Sequence, residues 1–380
     1  MGDQPKRKIR VGVIFGGRSG EHEVSLISAQ SVMSAIDKGK YEVIPIGISK
    51  GGRWLTSGDP LKMLTAGLAN SARPAALVAP AEAADNGEAK PATRDLIPGT
   101  RESGIPYLDV IFPVLHGPYG EDGTIQGLLE LANLPYVGAG VLGSALGMDK
   151  ALMKAVFRDA GLPTVKSLLV LRSEWGAHAE EIARRVLQEL GYPCFVKPAN
   201  LGSSVGVSKS HSADELPAAM ALAAQYDRKI LVEEAIEARE IECSVLGNDR
   251  PIASVLGEIV PKREFYDYIA KYADEETELI IPAALPPDKS QEVRAMAVRA
   301  FLALDCAGMA RADFFLCKRT GQVYVNELNT IPGFTSISMY PKLWAASGIP
   351  YPELIDRLIE LALERFADKQ RTRTSYTDEA

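Results

Sequence analysis

The sequence predicts an α/β fold, with α+β character in the C-terminal half, divided into two or three domains. The chain has 380 residues, more than one typical domain of about 150 residues. Within residues 11–48, an apolar strand, a segment of helical spacing and a second apolar strand follow one another, which indicates a parallel sheet. Further along, two short apolar segments flank a turn at residues 318–321 and predict an antiparallel hairpin.

The N-terminal domain is predicted to cover residues 1–142. Residues 11–15 form an apolar run that is typical of a buried strand and leads into a glycine-rich turn. A segment with apolar residues at helical spacing, 21–36, and a second strand-like run, 41–48, complete a βαβ unit. Residues 60–104 are rich in alanine, proline and glycine, and are interpreted as an insertion with irregular stretches.

The rest of the chain is predicted to form two further domains and a tail. A central domain covers residues 143–232, where helical and strand patterns alternate, and a C-terminal domain covers residues 233–367. A helix at residues 288–304 has a clear apolar stripe. The polar tail at residues 368–380 is predicted to be disordered.

The composition excludes several classes of protein. With 46% apolar and 24% charged residues it is ordinary for a soluble globular chain, and the net charge of −7 argues against nonspecific nucleic-acid binding. The N-terminus lacks the pattern of a signal peptide, and no run reaches the ~18 apolar residues of a membrane span. The four cysteines have neither paired nor metal-ligand spacing, so we expect a reduced, cytoplasmic protein.

The hairpin at residues 311–329 carries the most informative charges. Side chains alternate faces along a strand, so Arg311 and Asp313 share one face, as do Glu327 and Asn329 on the partner strand. If the turn is centred in the middle of this segment, Asp313 lies opposite Glu327, with Cβ atoms about 4.5–5.5 Å apart. A hard divalent cation such as Mg²⁺ would relieve the repulsion between two carboxylates this close. The alternative is a solvated hairpin face with ordinary charges.

Three other segments suit a bound nucleotide or substrate. Lys197 ends a strand-like run and precedes a loop of glycine and serine, 202–206, whose backbone N–H groups could hold phosphates; an ordinary hairpin is the alternative. Residues 230–236 form a strand-like run, and a carboxylate at its end could accept hydrogen bonds from adenine or ribose. The alternative is a surface acid that faces solvent. The aromatic segment 264–272 could fold over a substrate, or pack as an amphipathic strand.

The histidines differ in their predicted surroundings. His116 lies at the end of a strand-like run and is a candidate polar site residue. Residues 18–23 stand where a strand meets a helix N-terminus, a place suited to an anion or to a carboxylate cap. We expect His22, His178 and His211 to lie on the surface.

Taken together, these segments resemble the D-alanine–D-alanine ligases of the ATP-grasp superfamily. The resemblance extends from about residue 11 to residue 362 and depends on eight short motifs that occur in the family's order. The motifs are residues 16–25, 115–123, 148–150, 196–198, 202–206, 266–272, 311–313 and 327–333. Each motif is weak alone, whereas the ordered set is highly specific.

The resemblance implies a three-domain ATP-grasp architecture with an N-terminal parallel α/β domain. It implies an enzyme that phosphorylates the carboxylate of one D-alanine with ATP, and then joins the acyl phosphate to the amine of a second D-alanine. ATP is then a substrate, two Mg²⁺ or Mn²⁺ ions are the cofactors, and the setting is cytoplasmic peptidoglycan precursor synthesis. A homodimer is also implied.

The resemblance also implies roles for individual residues. The nucleotide contacts are Lys150, Lys197, Ser203, Ser204, Glu233, Glu234, Ile236 and Glu240. The metal ligands are Asp313, Glu327 and Asn329. The catalytic residues are Glu21, Ser203, Tyr272, Arg311 and Gly333, and the remaining substrate contacts are His116, Tyr266, Lys271 and Ser338.

Within these sets the implied chemistry is specific. Glu21 holds the ammonium of the first D-alanine, and Ser203 and Tyr272 are its hydrogen-bonded partners. Arg311 and the N–H of Gly333 stabilise the oxyanion of the tetrahedral intermediate. Lys271 and Ser338 contact the carboxylate of the second D-alanine, which the loop at residues 262–280 covers.

The match has two departures and leaves alternatives. Ile269 stands where the family often has an acidic residue, and Ile331 replaces a small or polar residue. A ligase that makes D-alanyl-D-lactate is one alternative, although Tyr272 is typical of enzymes whose second substrate is an amine. A non-catalytic nucleotide-binding protein is another. A dehydrogenase is disfavoured, because residues 12–17 lack the G-x-G-x-x-G spacing.

Overall fold

The computed structural model describes residues 7–67, 108–260, 278–335 and 337–373. Within these ranges the chain forms three sheets, each with apolar residues packed against it. The α/β fold class is confirmed. No helix of the described ranges is long and apolar enough to cross a membrane. The insertion beyond residue 67, and Tyr266, Lys271 and Tyr272 in the predicted substrate loop, lie outside the described residues.

The first sheet is mainly parallel. Its strands are β1 (Ile9–Gly16), β2 (Tyr41–Ile48), β3 (Trp54–Leu55) and β4 (Val110–Val114), in the order β3-β2-β1-β4. β1 pairs in parallel with β2 and β4, which confirms the βαβ unit. Its helices are α1 (His22–Ala35), α2 (Pro60–Thr65) and α3 (Thr124–Leu131). Because β1 and β4 are parallel, the loops that follow them lie at the same edge of the sheet.

The second sheet is antiparallel and has its own apolar cluster. It contains β5 (Ser167–Leu171), β6 (Cys194–Pro198), β7 (Ser208–Ser210) and β8 (Lys229–Glu234), in the order β5-β8-β6-β7. The helices α6 (Arg172–Glu189) and α7 (Leu216–Tyr226) cover it with Ile182, Val186 and Met220. Because β8 runs to Glu234, this sheet extends two residues past the predicted boundary at residue 232.

The third sheet carries the hairpin. Its strands, in chain order, are β9 (Ala238–Gly247), β10 (Ile252–Val260), β11 (Glu278–Ile280), β12 (Gly308–Cys317) and β13 (Val323–Asn329). They are antiparallel in the order β11-β10-β9-β12-β13, so β13 is an edge strand. The remaining helices are α4 (Val141–Met148), α5 (Lys150–Asp159), α8 (Pro287–Ala303), α9 (Met339–Ala346) and α10 (Tyr351–Lys369).

Two helices join the sheets to one another. α5 packs Met153 and Phe157 into the cluster of the third sheet, although its sequence position lies in the predicted central domain. α10 packs Leu354 and Leu358 with the core of the first sheet and lies against β4 and α1. The predicted domain boundaries stay predictions, and these contacts place α5 and α10 between sheets.

α10 also corrects the prediction of a disordered tail from residue 368. The helix continues to Lys369, whose ammonium is paired with Glu130, and Gln370 donates to the side chain of Asn133 at 2.8 Å. These contacts hold the end of the helix to the first domain. Residues 374–380 lie outside the described residues.

Candidate active site

The register of the β12–β13 hairpin agrees with the sequence prediction at the site. Arg311 lies opposite Asn329 and Asp313 lies opposite Glu327. The register shifts immediately afterwards, because Phe314 pairs with Val325 and leaves Asn326 as an extra residue. A β-bulge of this kind re-aims the side chains that follow it. The bulge at Asn326 therefore brings Glu327 to the same face as Asp313.

Cations already compensate the opposed carboxylates. Arg311 donates from Nε and Nη2 to the two oxygens of Asp313, at 2.7 Å each, and its Nε lies 3.0 Å from Glu242. Burial disfavours the charge of Arg311, but the Asp313 and Glu242 carboxylates raise its pKa well above the usual value. Asn329 donates to Asp313 at 2.9 Å. The repulsion that the sequence predicted between Asp313 and Glu327 is thus partly resolved by arginine.

Lysines of α5 and β6 complete this side of the cleft. Lys150 Nζ donates to the carbonyl of Leu201 at 2.7 Å and lies 3.5 Å from Glu327 Oε2. Lys197 Nζ lies 2.6 Å from Glu233 Oε2. Both lysines are nearly buried, so their charges are poorly screened by solvent. They therefore favour an anion at this end of the cleft.

Lys154, which the sequence analysis missed, lies on the same face of α5 as Lys150. Its side chain is fully buried, and its ammonium contacts Glu233 Oε1 and the carbonyl of Asn326, each at 3.0 Å. Burial lowers the pKa of Lys154, opposed by Glu233. Burial alone would raise the pKa of Glu233, but Lys154 and Lys197 bring it below the usual value. The four-residue spacing from Lys150 was the available sequence signal.

We call this set the hairpin wall. It comprises Lys150, Lys154, Lys197, Glu233, Glu242, Arg311, Asp313, Glu327 and Asn329. Among the described residues, no three or more His, Cys, Asp or Glu side chains form a metal cluster. A cation here would therefore need the amide oxygen of Asn329 beside the carboxylates of Asp313 and Glu327.

The glycine-serine loop reaches from the second sheet to the first domain. Ser203 and Ser204 both have left-handed backbone conformations, with φ of 50° and 57°. Non-glycine residues adopt this region at a cost of about 1–2 kcal/mol. The Ser203 hydroxyl donates to Glu21, and a Cβ at Gly202 would lie 3.2 Å from Glu21 Oε2. The loop therefore closes over Glu21, and a larger residue at Gly202 would crowd the carboxylate.

Glu21 and His116 lie close together at the ends of β1 and β4. Ser19 accepts from the N–H of Glu21 at 3.2 Å and donates to the carbonyl of His116 at 2.6 Å. The imidazole of His116 is buried and its Nδ1 lies 3.1 Å from the carbonyl of Ile331, so Nδ1 carries the proton. Nε2 then accepts from Ser28 at 3.3 Å. Burial lowers the pKa of His116, which keeps the ring neutral near pH 7.

Glu121 is a second residue without a predicted role. Its two carboxyl oxygens accept from the N–H of Gly117 at 2.6 Å and from the N–H of Ile331 at 3.2 Å. Burial, together with the charge of Glu21, raises the pKa of Glu121 to about 8. Its position in the motif at residues 115–123 was the sequence signal. We call Ser19, Glu21, His116, Glu121 and Ser203 the loop wall.

The other predicted contacts are dispersed around the cleft. Ser338 precedes α9 and accepts from the N–H of Thr335 at 3.1 Å, and a Cβ at Gly333 would lie 3.0 Å from its Oγ. Glu234 accepts from the N–H of Lys166 at 2.8 Å. Ile236 is half-buried just after β8, and Glu240 pairs with Phe315 along β9.

The prediction that His22 is a surface residue is wrong. Its side chain is buried, with Nδ1 donating to the carbonyl of Gly17 at 2.8 Å. The close fit of the first turn of α1 beneath Gly16 explains this burial, because the His22 ring lies 3.1 Å from where a Cβ of Gly16 would stand. His178 and His211 are exposed, as predicted.

Comparison with known families agrees with this geometry in both halves of the chain. The profile described as D-ala D-ala ligase N-terminus matches residues 10–139, and that described as D-ala D-ala ligase C-terminus matches residues 156–360. The chain belongs to the D-alanine–D-alanine ligase family. The ATP-grasp resemblance and the classification as a ligase are therefore confirmed.

Relatives of this ligase family match almost the whole chain. A D-alanine–D-alanine ligase of Geobacillus thermodenitrificans is 54% identical over 96% of this chain and 98% of its own length. A solved D-alanine–D-alanine ligase from Coxiella burnetii is 38% identical, with a TM-score of 0.79 over 96% of each chain. The VanG D-Ala:D-Ser ligase from Enterococcus faecalis is 35% identical, also at a TM-score of 0.79, over 94% of this chain and 100% of its own.

Proposed function

We propose that this ligase joins two D-alanines into D-alanyl-D-alanine at the expense of ATP, for peptidoglycan precursor synthesis. The observation that carries the proposal is the contrast between the two walls of the cleft. The hairpin wall pairs four lysine and arginine side chains with four carboxylates, of which Asp313 and Glu327 are available to a divalent cation, whereas the loop wall pairs carboxyl groups with a neutral histidine. The first environment suits phosphates and the second suits an ammonium.

The first D-alanine binds at the loop wall in this proposal. Its ammonium lies against Glu21, whose carboxylate accepts from Ser203 and whose backbone N–H donates to Ser19. Burial, together with the charge of Glu21, raises the pKa of Glu121 to about 8, so a second ionised carboxyl group is disfavoured beside the negative potential of Glu21. A bound ammonium relieves this potential. The neutral ring of His116 closes the subsite without competing for the carboxylate.

ATP binds at the hairpin wall. Lys150 and Lys197 neutralise its phosphates, and the backbone of the 202–206 loop covers them. Glu233, Glu234, Ile236 and Glu240 line the adenosine side by resemblance. Asp313, Glu327 and Asn329 supply only oxygen donors, a set that fits Mg²⁺ or Mn²⁺. Such ions, when bound, spread and neutralise the charge that develops on the transferred phosphoryl group.

The ligation then proceeds in two balanced steps. A carboxylate oxygen of the first D-alanine displaces ADP from the γ-phosphorus, which gives D-alanyl phosphate. The amine of the second D-alanine attacks the acyl carbon, phosphate leaves, and the amine loses a proton. Arg311 is fixed by Asp313 and Glu242, so its guanidinium is pre-organised to stabilise the oxyanion with the N–H of Gly333.

An assay of ADP release separates the candidate activities. The purified chain with ATP and Mg²⁺ is offered D-alanine, L-alanine, D-serine or D-alanine plus D-lactate, and products are identified by mass. With D-alanine as the only amino acid, we expect ADP release and formation of the dipeptide. We expect no ADP release with L-alanine. D-alanyl-D-lactate as the main product would favour the depsipeptide ligase instead. If no D-amino acid stimulated ADP release, the ligase proposal would be wrong.

We also propose a cytoplasmic homodimer, since the family resemblance implies one. Sedimentation velocity of the purified chain measures the mass directly. A species of twice the 41.0 kDa chain mass is expected. A monomer at micromolar concentration would contradict this part of the proposal.

A further inference from the structure

Lys154 is a fully buried cation that none of the predicted roles includes. Its ammonium lies 3.0 Å from the carbonyl oxygen of Asn326 and 3.0 Å from Glu233 Oε1. A buried ammonium is unfavourable by several kcal/mol unless its partners are well placed. An apolar side chain of similar volume is often as stable at such a position. Stability alone therefore does not explain a lysine here.

The carbonyl that Lys154 binds belongs to the bulge of β13. This strand lies at the edge of its sheet, so outward-facing backbone groups need partners from elsewhere. The N–H of Val325 donates to the carbonyl of Pro163 at 2.8 Å, and the N–H of Leu328 lies 3.3 Å from Met153 Sδ. Between these two N–H groups, the carbonyl of Asn326 accepts a hydrogen bond from Lys154. α5 and the segment after it thus fix the bulge on both sides.

The bulge decides where Glu327 points. The extra residue Asn326 is what allows Glu327 to lie opposite Asp313. A shift by one residue would send the Glu327 side chain to the opposite face of the sheet. The Lys154 ammonium holds the carbonyl of the residue immediately before Glu327. Its contact therefore acts on the backbone that aims this carboxylate.

Lys154 also joins the hairpin to the second sheet. Glu233 at the end of β8 has Lys154 on one oxygen and Lys197 on the other. The same ammonium thus touches β8 of the second sheet and β13 of the third sheet. The hairpin bulge is thus linked to Lys197 through Lys154 and the Glu233 carboxylate.

We propose that Lys154 is a positioning residue that holds the bulge at Asn326 and thereby keeps Glu327 opposite Asp313 for a divalent cation. The proposal builds on the proposed function, because that function assigns Glu327 and Asp313 to the cation. It predicts that loss of the ammonium weakens cation binding without unfolding the chain.

The test is a titration of the full-length protein with Mn²⁺ in the presence of ADP, followed by electron paramagnetic resonance of free Mn²⁺. Lys154→Met keeps an unbranched side chain that is one heavy atom shorter, and removes the charge. We expect the Mn²⁺ dissociation constant to rise by about 10-fold to 100-fold, as is usual when a partner of a metal ligand is lost. An unchanged constant in the variant would overturn the proposal.

Arg365→Met is the matched control. Arg365 is also a mostly buried cation, bonded to the carbonyls of Tyr136 and Gly138, and it lies outside both walls. It should lower thermal stability while leaving the Mn²⁺ dissociation constant near that of the wild type. Equal weakening of Mn²⁺ binding in both variants would mean a general structural effect and would overturn the proposal.

A comparison in the Glu233→Gln variant distinguishes a role of Lys154 at the bulge from a role as counter-ion of Glu233. Glu233→Gln removes the carboxylate that Lys154 neutralises, so Lys154→Met/Glu233→Gln removes both charges of this buried pair. Lys197 loses the same carboxylate in the double variant and in Glu233→Gln alone, so the comparison between these two proteins isolates Lys154. If Lys154 acts through the bulge, the double variant binds Mn²⁺ about 10-fold or more weaker than Glu233→Gln alone. Equal binding by these two proteins would show that Lys154 serves only as a counter-ion and would overturn the proposal.

The Mn²⁺ titration does not depend on the substrate. If the wild type fails to release ADP with D-alanine, the proposed function fails, but the titration still reports on Lys154. If the wild type is active and Lys154→Met binds Mn²⁺ normally, only the positioning role fails. In the expected case the variant also has a lower kcat with a nearly unchanged KM for D-alanine, because the loop wall is untouched.

Discussion

The two walls of the cleft solve the problem of buried charge in opposite ways. On the hairpin wall, Asp313 and Glu242 contact Arg311, and Glu233 contacts two lysines. On the loop wall, burial and Glu21 shift the carboxyl group of Glu121 towards its neutral form, and His116 is neutral. Ion pairs stabilise the hairpin wall, whereas the loop wall keeps His116 and Glu121 in their neutral forms. In the proposal, the ion-paired wall binds the phosphates together with a divalent cation, and the loop wall binds the ammonium.

The largest effect is expected from Glu327→Gln, which removes a charge from the hairpin wall and keeps the shape. We expect turnover to fall by about 100-fold to 1,000-fold, because the proposed role of this wall is to stabilise the charge of phosphoryl transfer. The measurement is ADP release at saturating substrates, with circular dichroism to check the fold. Asp313→Asn should behave alike.

Glu258→Gln is the control for those two variants. Glu258 is a buried carboxylate on β10 of the same sheet, paired with Arg239 at 2.6 Å, and lies outside both walls. It should lose stability and keep most of its turnover. Wild-type rates in Glu327→Gln would contradict a role of the hairpin wall in the reaction.

The next largest effect tests the loop wall. Glu21→Gln should raise the KM for the first D-alanine by about 10-fold to 100-fold, since a hydrogen bond to a charged group is worth about 1.5–3 kcal/mol. The KM for ATP should change little, because the proposed function places its phosphates at the hairpin wall. Initial rates over a matrix of both substrates separate the two constants. Equal rises in both would mean that the walls are not independent.

Much of the hairpin wall could be predicted from sequence, because strand alternation fixes which residues share a face. The opposition of Asp313 and Glu327 was predicted correctly, but the bulge at Asn326 that produces it was not. A bulge depends on backbone partners supplied by other elements, here Lys154 and Pro163. No local pattern contains those partners.

The loop wall was less accessible to sequence reasoning. The burial of His22 and the raised pKa of Glu121 both follow from how loops after separate strands fold over one another. The helix that continues to Lys369 depends likewise on an ion pair to Glu130, more than two hundred residues away in sequence. Family resemblance supplied roles for Glu21 and Ser203 that composition and spacing did not.

A smaller effect distinguishes the walls by pH. The pKa of Glu121 is raised from 4.5 to about 8, so the folded state holds a proton that the unfolded state has lost. The stability from that proton is fully present below pH 4.5 and is lost as the pH rises through 8. Glu121→Gln has no such proton to lose. From pH 5 to pH 7 the free energy of unfolding of the wild type should fall relative to that of Glu121→Gln by on the order of 2 kcal/mol.

Urea unfolding of both proteins at several pH values measures that change. The pH slope is the readout, since glutamine has one acceptor oxygen for the two N–H groups of Gly117 and Ile331 and is less stable at every pH for that reason. Parallel curves from pH 5 to 8 would mean that Glu121 is ionised throughout. The loop wall would then carry two charges.

The smallest effect concerns the tautomer of His116. Ser28 is fully buried, donates to His116 Nε2 at 3.3 Å and accepts from the N–H of Phe334 at 3.4 Å. Ser28→Ala removes both bonds, which are long, so a loss of about 1 kcal/mol is expected. The Nδ1 bond to Ile331 remains and should keep the ring neutral and in place. Nitrogen NMR of the imidazole should therefore report an unchanged Nδ1-protonated form, whereas a switch to the Nε2 form would mean that Ser28 sets the tautomer.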